Sequence, residues 1–109
     1  MNASWSFELA QISTGKRPQN MTKEEAIEKA KRDLATRLGI DESQVVEQSV
    51  SDADFPDMAL GAAASGEMSG QMITKGWKIQ LGGGGKTYEY RADKTQLRLC
   101  NFKGKNYKI

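Results

Sequence analysis

Between residues 72 and 102 apolar and polar side chains alternate in three successive runs, and this alternation restricts the fold more than any other feature. Trp77, Ile79 and Leu81 share one face, while Lys78 and Gln80 take the other. Tyr88 and Tyr90 alternate with Thr87, Glu89 and Arg91, and Leu97 and Leu99 alternate with Gln96 and Arg98. A period of two marks half-buried strands. Gly82 to Gly85 joins the first two runs and Ala92-Asp93-Lys94 joins the last two. Glycine reaches positive φ without a steric penalty, so a glycine run suits a hairpin. The result is an antiparallel meander with one apolar face that another element must cover.

The same glycines precede Lys86 and Thr87, which invites comparison with a phosphate loop. That loop needs a glycine five residues before the Gly-Lys-Thr, and the position holds Gln80. It also needs a helix to follow, whose N-terminal amides bind phosphate. Tyr88-Glu89-Tyr90 follow instead, and these residues suit a strand. The stretch reads as a bend.

One segment has the pattern of a covering helix, from about 22 to 39. Thr22 and Glu25 form a capping box, with Met21 placed to staple onto the first turn. Ile27, Ala30, Leu34 and Leu38 share a face, and Gly39 stands where a left-handed terminating residue belongs. Glu25 with Lys29 and Glu28 with Arg32 are expected as i,i+4 pairs on the wet side. Lys23, Lys29, Lys31, Arg32 and Arg37 are interleaved with Glu24, Glu25, Glu28 and Asp33, the mark of a solvated face and not of a nucleic-acid surface. Residues 44–51 read as a further strand with Val46 and Val50 in the core. Trp5, Phe7 and Leu9 alternate with polar residues and suggest an N-terminal strand completing the sheet, before a polar linker with Gly15 and Pro18.

These elements predict an α+β fold: one amphipathic helix on a single antiparallel sheet, a meander of about four strands plus the N-terminal one. Its core pairs Trp77, Ile79, Leu81, Tyr88, Tyr90, Leu97 and Leu99 with Ile27, Leu34 and Leu38. Lys78, Gln80, Glu89, Arg91, Gln96 and Arg98 are expected to face water. The 109 residues suit one domain. Residues 1–20 form a strand and linker, 21–102 the folded unit, and 103–109, with Lys103, Lys105 and Lys108, a loosely held basic tail.

Composition narrows the chemistry. A net charge of +2 does not predict nucleic-acid binding, and no apolar run suits membrane insertion. The absence of histidine removes the commonest general base and the commonest metal ligand. Cys100 is the one cysteine, without an activating partner. Asp52, Asp54 and Asp57 cluster, but the glycine and distal glutamate of a calcium loop are missing, so turn-forming and solvating roles are expected. No catalytic residue, cofactor or metal site is expected, and neither is an enzyme.

The stretch 52–70 is long for a connection in a small domain, and such loops are often functional. Phe55, Met58 and Leu60 are its expected anchors. With Met68, Met72 and Trp77 they make a candidate partner-binding surface, since methionine suits adaptable apolar contacts. A protein or peptide partner is expected, with the chain a monomer or weak homodimer. Pairing of edge strands into a dimer is the alternative.

Taken together, AIEKAKRDLATRLGI, QVVEQSVSDADFPD, LGAAASGEMSGQMITKGWKIQL, KTYEYRAD and LRLC resemble a family of small, mostly exported bacterial proteins of unknown function, similar to PepSY-type domains. Phe55-Pro56-Asp57, Leu60-Gly61, Gly66, Gln71, Ile73-Thr74, Gly76-Trp77, Ile79, Tyr88-Glu89-Tyr90 and Cys100 carry the resemblance in order. It implies association with, or inhibition of, peptidases or other envelope proteins, and an extracytoplasmic location, although Met1 to Trp5 show no signal peptide. It also implies a cysteine pair tying the long loop to the last strand. Ala62 and Ala63 stand where that family has cysteine and proline, and Lys75 replaces a proline. Without the bond, the loop is expected to be more mobile or better packed.

Overall fold

A computed structural model describes residues 20–109. The strand expected around Trp5, Phe7 and Leu9, and the linker after it, lie outside the described residues. Helix α1 spans Lys23–Leu38. Thr22 Oγ1 accepts from the Glu25 amide at 3.1 Å, and the Glu25 carboxylate accepts from the Thr22 amide at 2.9 Å. Two otherwise orphaned amides are thereby satisfied. Gly39, at φ +69°, ends the helix, and the Ile40 amide reaches back to the Ala35 carbonyl at 3.0 Å. A turn of 3-10 helix, Glu42–Gln44, leads into the sheet.

Five strands follow: β1 Val46–Phe55, β2 Thr74–Gly83, β3 Lys86–Asp93, β4 Gln96–Phe102 and β5 Lys105–Lys108. They pair antiparallel in chain order, so the sheet is a meander. Gly84 and Gly85 turn β2 into β3 with φ of +58° and +81°, the two left-handed residues that a type I′ hairpin demands. The glycine stretch is a hairpin, as the following strand residues required. Gly83 serves the packing instead. A Cβ there would stand 2.9 Å from Leu38 Cδ1, so its absence lets the end of α1 approach the sheet.

Ala26, Ile27, Ala30, Leu34 and Ala35 of α1 close over Ile79, Leu81, Tyr90, Ala92, Leu97, Leu99 and Phe102. Half-buried Leu38, Trp77, Tyr88 and Tyr107 border this core. The alternation of β2, β3 and β4 therefore sets the core face as expected. Two expected pairs on the wet side of α1 are not formed: Glu25 is taken by the cap, and the i,i+4 pair is Asp33 with Arg37 at 2.8 Å. Nor is that pair purely solvated. Tyr90 donates its hydroxyl to Asp33 at 2.7 Å, while the Arg37 guanidinium lies over the Tyr107 ring at 4.5 Å. Burial, reinforced by the Asp33 carboxylate, pushes the Tyr90 hydroxyl pKa up.

Three further expectations are corrected. Val45 is the buried valine, and Val46 is exposed. The cause is a bulge: the β1–β2 register shifts at Gln48, so Val46 pairs with Gly82 and Val50 with Ile79, on opposite faces. Gln48 itself folds over Gly82 and accepts from the Thr87 hydroxyl at 2.8 Å. Next, β1 runs on to Phe55, so Asp52 and Asp54 sit on a strand and not in a turn. Finally, residues 103–109 are not a loose tail. Lys103 and Gly104, at φ +52° and +84°, turn the chain into β5, which pairs with β4, and the Ile109 amide bonds to the Leu97 carbonyl at 2.9 Å. Among the described residues no helix is long and apolar enough to cross a membrane.

Candidate functional site

The connection from β1 to β2 forms a strap that lies across the second face of the sheet. It starts with Asp57, whose Oδ1 accepts from the amides of Ala59 at 2.9 Å and Gly61 at 3.0 Å. The Gly61 and Ala59 amides, with the Ser69 hydroxyl, hold the Asp57 carboxyl below its usual pKa, against the opposing effect of desolvation. The Met58 amide bonds to the Gly70 carbonyl at 2.9 Å and closes the strap at its base.

The sheet grips this strap by its carbonyls. Arg91 donates to Leu60 O at 2.9 Å, Gln96 to Met58 O at 2.8 Å, Arg98 to Ala62 O at 3.4 Å and Asn106 to Ala63 O at 3.0 Å. The Arg98 guanidinium also meets both Glu67 oxygens, at 2.5 and 2.7 Å, in a forked pair. Arg98 is only 2% exposed, so the pair neutralises a charge that burial would otherwise penalise. It also draws the Glu67 carboxyl pKa down to about 2, helped by the Ala64 amide. Phe55, Ala59, Leu60 and Ala62 are buried on this side, and the Phe55 ring lies 5.4 Å from the Arg91 guanidinium.

This overturns the expectation of a water-facing second face. Arg91, Gln96 and Arg98 on β3 and β4 are met by the strap, which supplies carbonyls and one carboxylate to them, while Glu89 pairs within the sheet with Arg91. Buried Ala59, Leu60 and Ala62 and these hydrogen bonds hold the loop on the sheet. Leu60, at φ +60°, is held left-handed by the hydrogen bond to its carbonyl and by complete burial.

The expected partner surface divides in two. Phe55 and Leu60 are buried and anchor the strap. Met58, the third expected anchor, is exposed: its backbone is fixed while its side chain points outward. Met58 and Met72 meet Trp77 around a cleft of about 760 Å3, at the end of the sheet where β1 stops and β2 begins. Met68 does not line it and stands 95% exposed on the strap. The sequence reading missed Ile73, which lines the cleft 72% exposed, and the Asp93-Lys94-Thr95 turn that closes its far wall. The signal for Ile73 was a large apolar residue in a stretch without periodicity, directly before a strand.

Asp52 and Asp54 also border the cleft. They point to the α1 side of β1, opposite Trp77 and Lys75, and pair with Lys23 at 3.4 Å and Lys75 at 3.3 Å. Asp57 is turned into its own strap, so the three acids do not converge. Among the described residues no group of three or more acidic or cysteine side chains is placed to hold a metal ion. Cys100 lies half-buried on β4 beside Glu89, and burial pushes its thiol pKa up, the reverse of what a nucleophile requires.

No curated protein and no solved structure matches the chain. Residues 27–100, from Ile27 on α1 to Cys100 on β4, match a family described only as a domain of unknown function, and at about two-thirds of the chain that match makes this protein a member of the DUF8738 family.

Proposed function

We propose that the protein is a non-catalytic binding module that seats an extended segment of a partner protein at the open end of β1. The observation that carries this reading is the grouping of Met58, Met72 and Ile73, all exposed, with half-buried Trp77 around one cleft. Apolar side chains of that size exposed together, and rimmed by Asp52, Asp54 and Lys75, fit an interaction site better than a solvated surface. The strap supports the reading. Its backbone is pinned while the Met58 side chain lies half exposed over Gly70, so the cleft keeps its shape and its lining adapts. The resemblance to PepSY-type domains points to the same role, with a peptidase or another exported protein as the partner class and an extracytoplasmic location.

The test is a comparison of the wild-type chain with Met58→Ser/Met72→Ser/Ile73→Ser. All three side chains are exposed, so the variant keeps its melting temperature. A partner retained by the wild type from envelope extract is expected to be lost by the variant. Equal retention by both proteins, or by neither, rejects the reading.

A further inference from the structure

We propose that the outer edge of β1 takes, by strand addition, a partner segment with basic side chains at alternate positions. This inference rests on the binding reading above and names the chemistry of the partner. Among the described residues β1 pairs on one side only, with β2. Every second residue of its ten therefore turns an amide and a carbonyl outward, a ready template for another strand.

The side chains along this edge specify what fits. The register places Glu47, Val50, Asp52 and Asp54 on the α1 side, opposite Leu81, Ile79, Trp77 and Lys75. Ser49, Ser51, Ala53 and Phe55 lie on the other side, so that row is small and neutral until Phe55. The strand carries three carboxylates and no cation. A second copy of β1 in this position would set carboxylates among carboxylates and bring no base, which disfavours a dimer through this edge. A strand with Lys or Arg on alternate residues meets the acids and offers small residues to the serine row. The pairs of Asp52 with Lys23 and Asp54 with Lys75 are exposed, so an incoming cation can replace them at little cost. Main-chain bonds supply affinity in such complexes and alternate side chains supply the choice of partner. The Met58, Met72 and Ile73 cleft, at the Phe55 end of the strand, takes a large apolar residue at the end of the basic run.

The experiment uses two ten-residue peptides, one alternating Lys and Thr and one alternating Glu and Thr, each ending in Leu. Amide resonances and hydrogen exchange of the full chain are followed during titration, and mass is followed by light scattering. The lysine peptide is expected to shift and protect Val46–Phe55 amides in a monomer, with affinity that falls as salt rises. Asp52→Asn/Asp54→Asn is expected to weaken it about tenfold, as two lost cross-strand charge pairs imply. Equal binding of both peptides overturns the proposal. So do shifts confined to other strands, an outer β1 edge already protected in the free monomer, or a dimer mass that accounts for the protection. If neither peptide binds while the cleft variant still loses its captured partner, this proposal falls and the binding reading stands. If the lysine peptide binds β1 but the cleft variant captures as the wild type does, the reverse holds.

Discussion

Replacing Gly76 with alanine tests a position where only the absence of a side chain leaves room for the neighbouring strand's main chain. A Cβ at this position would stand 2.2 Å from the carbonyl oxygen of Ala92 and 3.2 Å from Phe55 Cε2. Carbon and carbonyl oxygen ordinarily meet at about 3.3 Å or more, so β2 and β3 must part locally by roughly 1 Å. The obstacle is main chain, which cannot swing aside as a side-chain end can. Overpacking costs about 1–3 kcal/mol, and loss of a ladder hydrogen bond near the Trp77–Ala92 pair adds about 1 kcal/mol. Gly76→Ala is thus expected to lose about 2–4 kcal/mol, measured by urea denaturation followed by far-UV circular dichroism. Gly84→Ala is the control. It meets no atom within 4 Å, but its φ of +58° disfavours a Cβ, and the expected loss is about 1–2 kcal/mol. Asn at position 84 tolerates that φ and is expected to recover part of the loss, whereas no side chain rescues position 76. A Gly76→Ala protein within about 0.5 kcal/mol of wild type would refute the steric argument.

Two predictions concern pH. The folded-state pKa of Glu67 lies at about 2 against an ordinary 4.5, so its contribution is complete above pH 4.5 and is lost as pH falls toward 2. Melting temperatures of Glu67→Gln and wild type are expected to converge across that acid range and to differ most at neutral pH; a constant difference contradicts the Arg98 pairing. The Tyr90 hydroxyl is raised above its usual 10, so its contribution is complete below pH 10 and fades as pH climbs past that value. Tyr90→Phe is expected to cost about 1 kcal/mol at pH 7 and to show a weaker loss of stability at alkaline pH than wild type.

The helix and the three central strands were legible because each pattern has one period and one buried face. Ile27, Leu34, Ile79, Tyr90 and Leu99 could be placed on that face from spacing alone. β1 was harder, since the bulge at Gln48 breaks the period between Val46 and Val50. β5 was missed because its lysines resemble a solubilising tail, and what orders it is pairing with β4 and packing of Tyr107, neither of which is local. The strap was least legible. Arg91, Gln96, Arg98 and Asn106 look solvent-directed in sequence, and their partners are carbonyls some 31 to 43 residues away. Of the three anchors expected in the loop, Phe55 and Leu60 are buried and Met58 is exposed, and Met58, Met72 and Trp77 of the expected partner surface line one cleft, an arrangement no local sequence pattern announces.

A segment gripped by its carbonyls is held without regard to most of its side chains. Outside Asp57, Ala59, Leu60, Gly61, Ala62, Gly66, Glu67 and Ser69, the strap is free to drift in sequence without losing its seat on the sheet. Homologues sharing this scaffold can therefore swap the side chains at positions 58, 68 and 72 and diverge in what they recognise, while their folding stays unaltered.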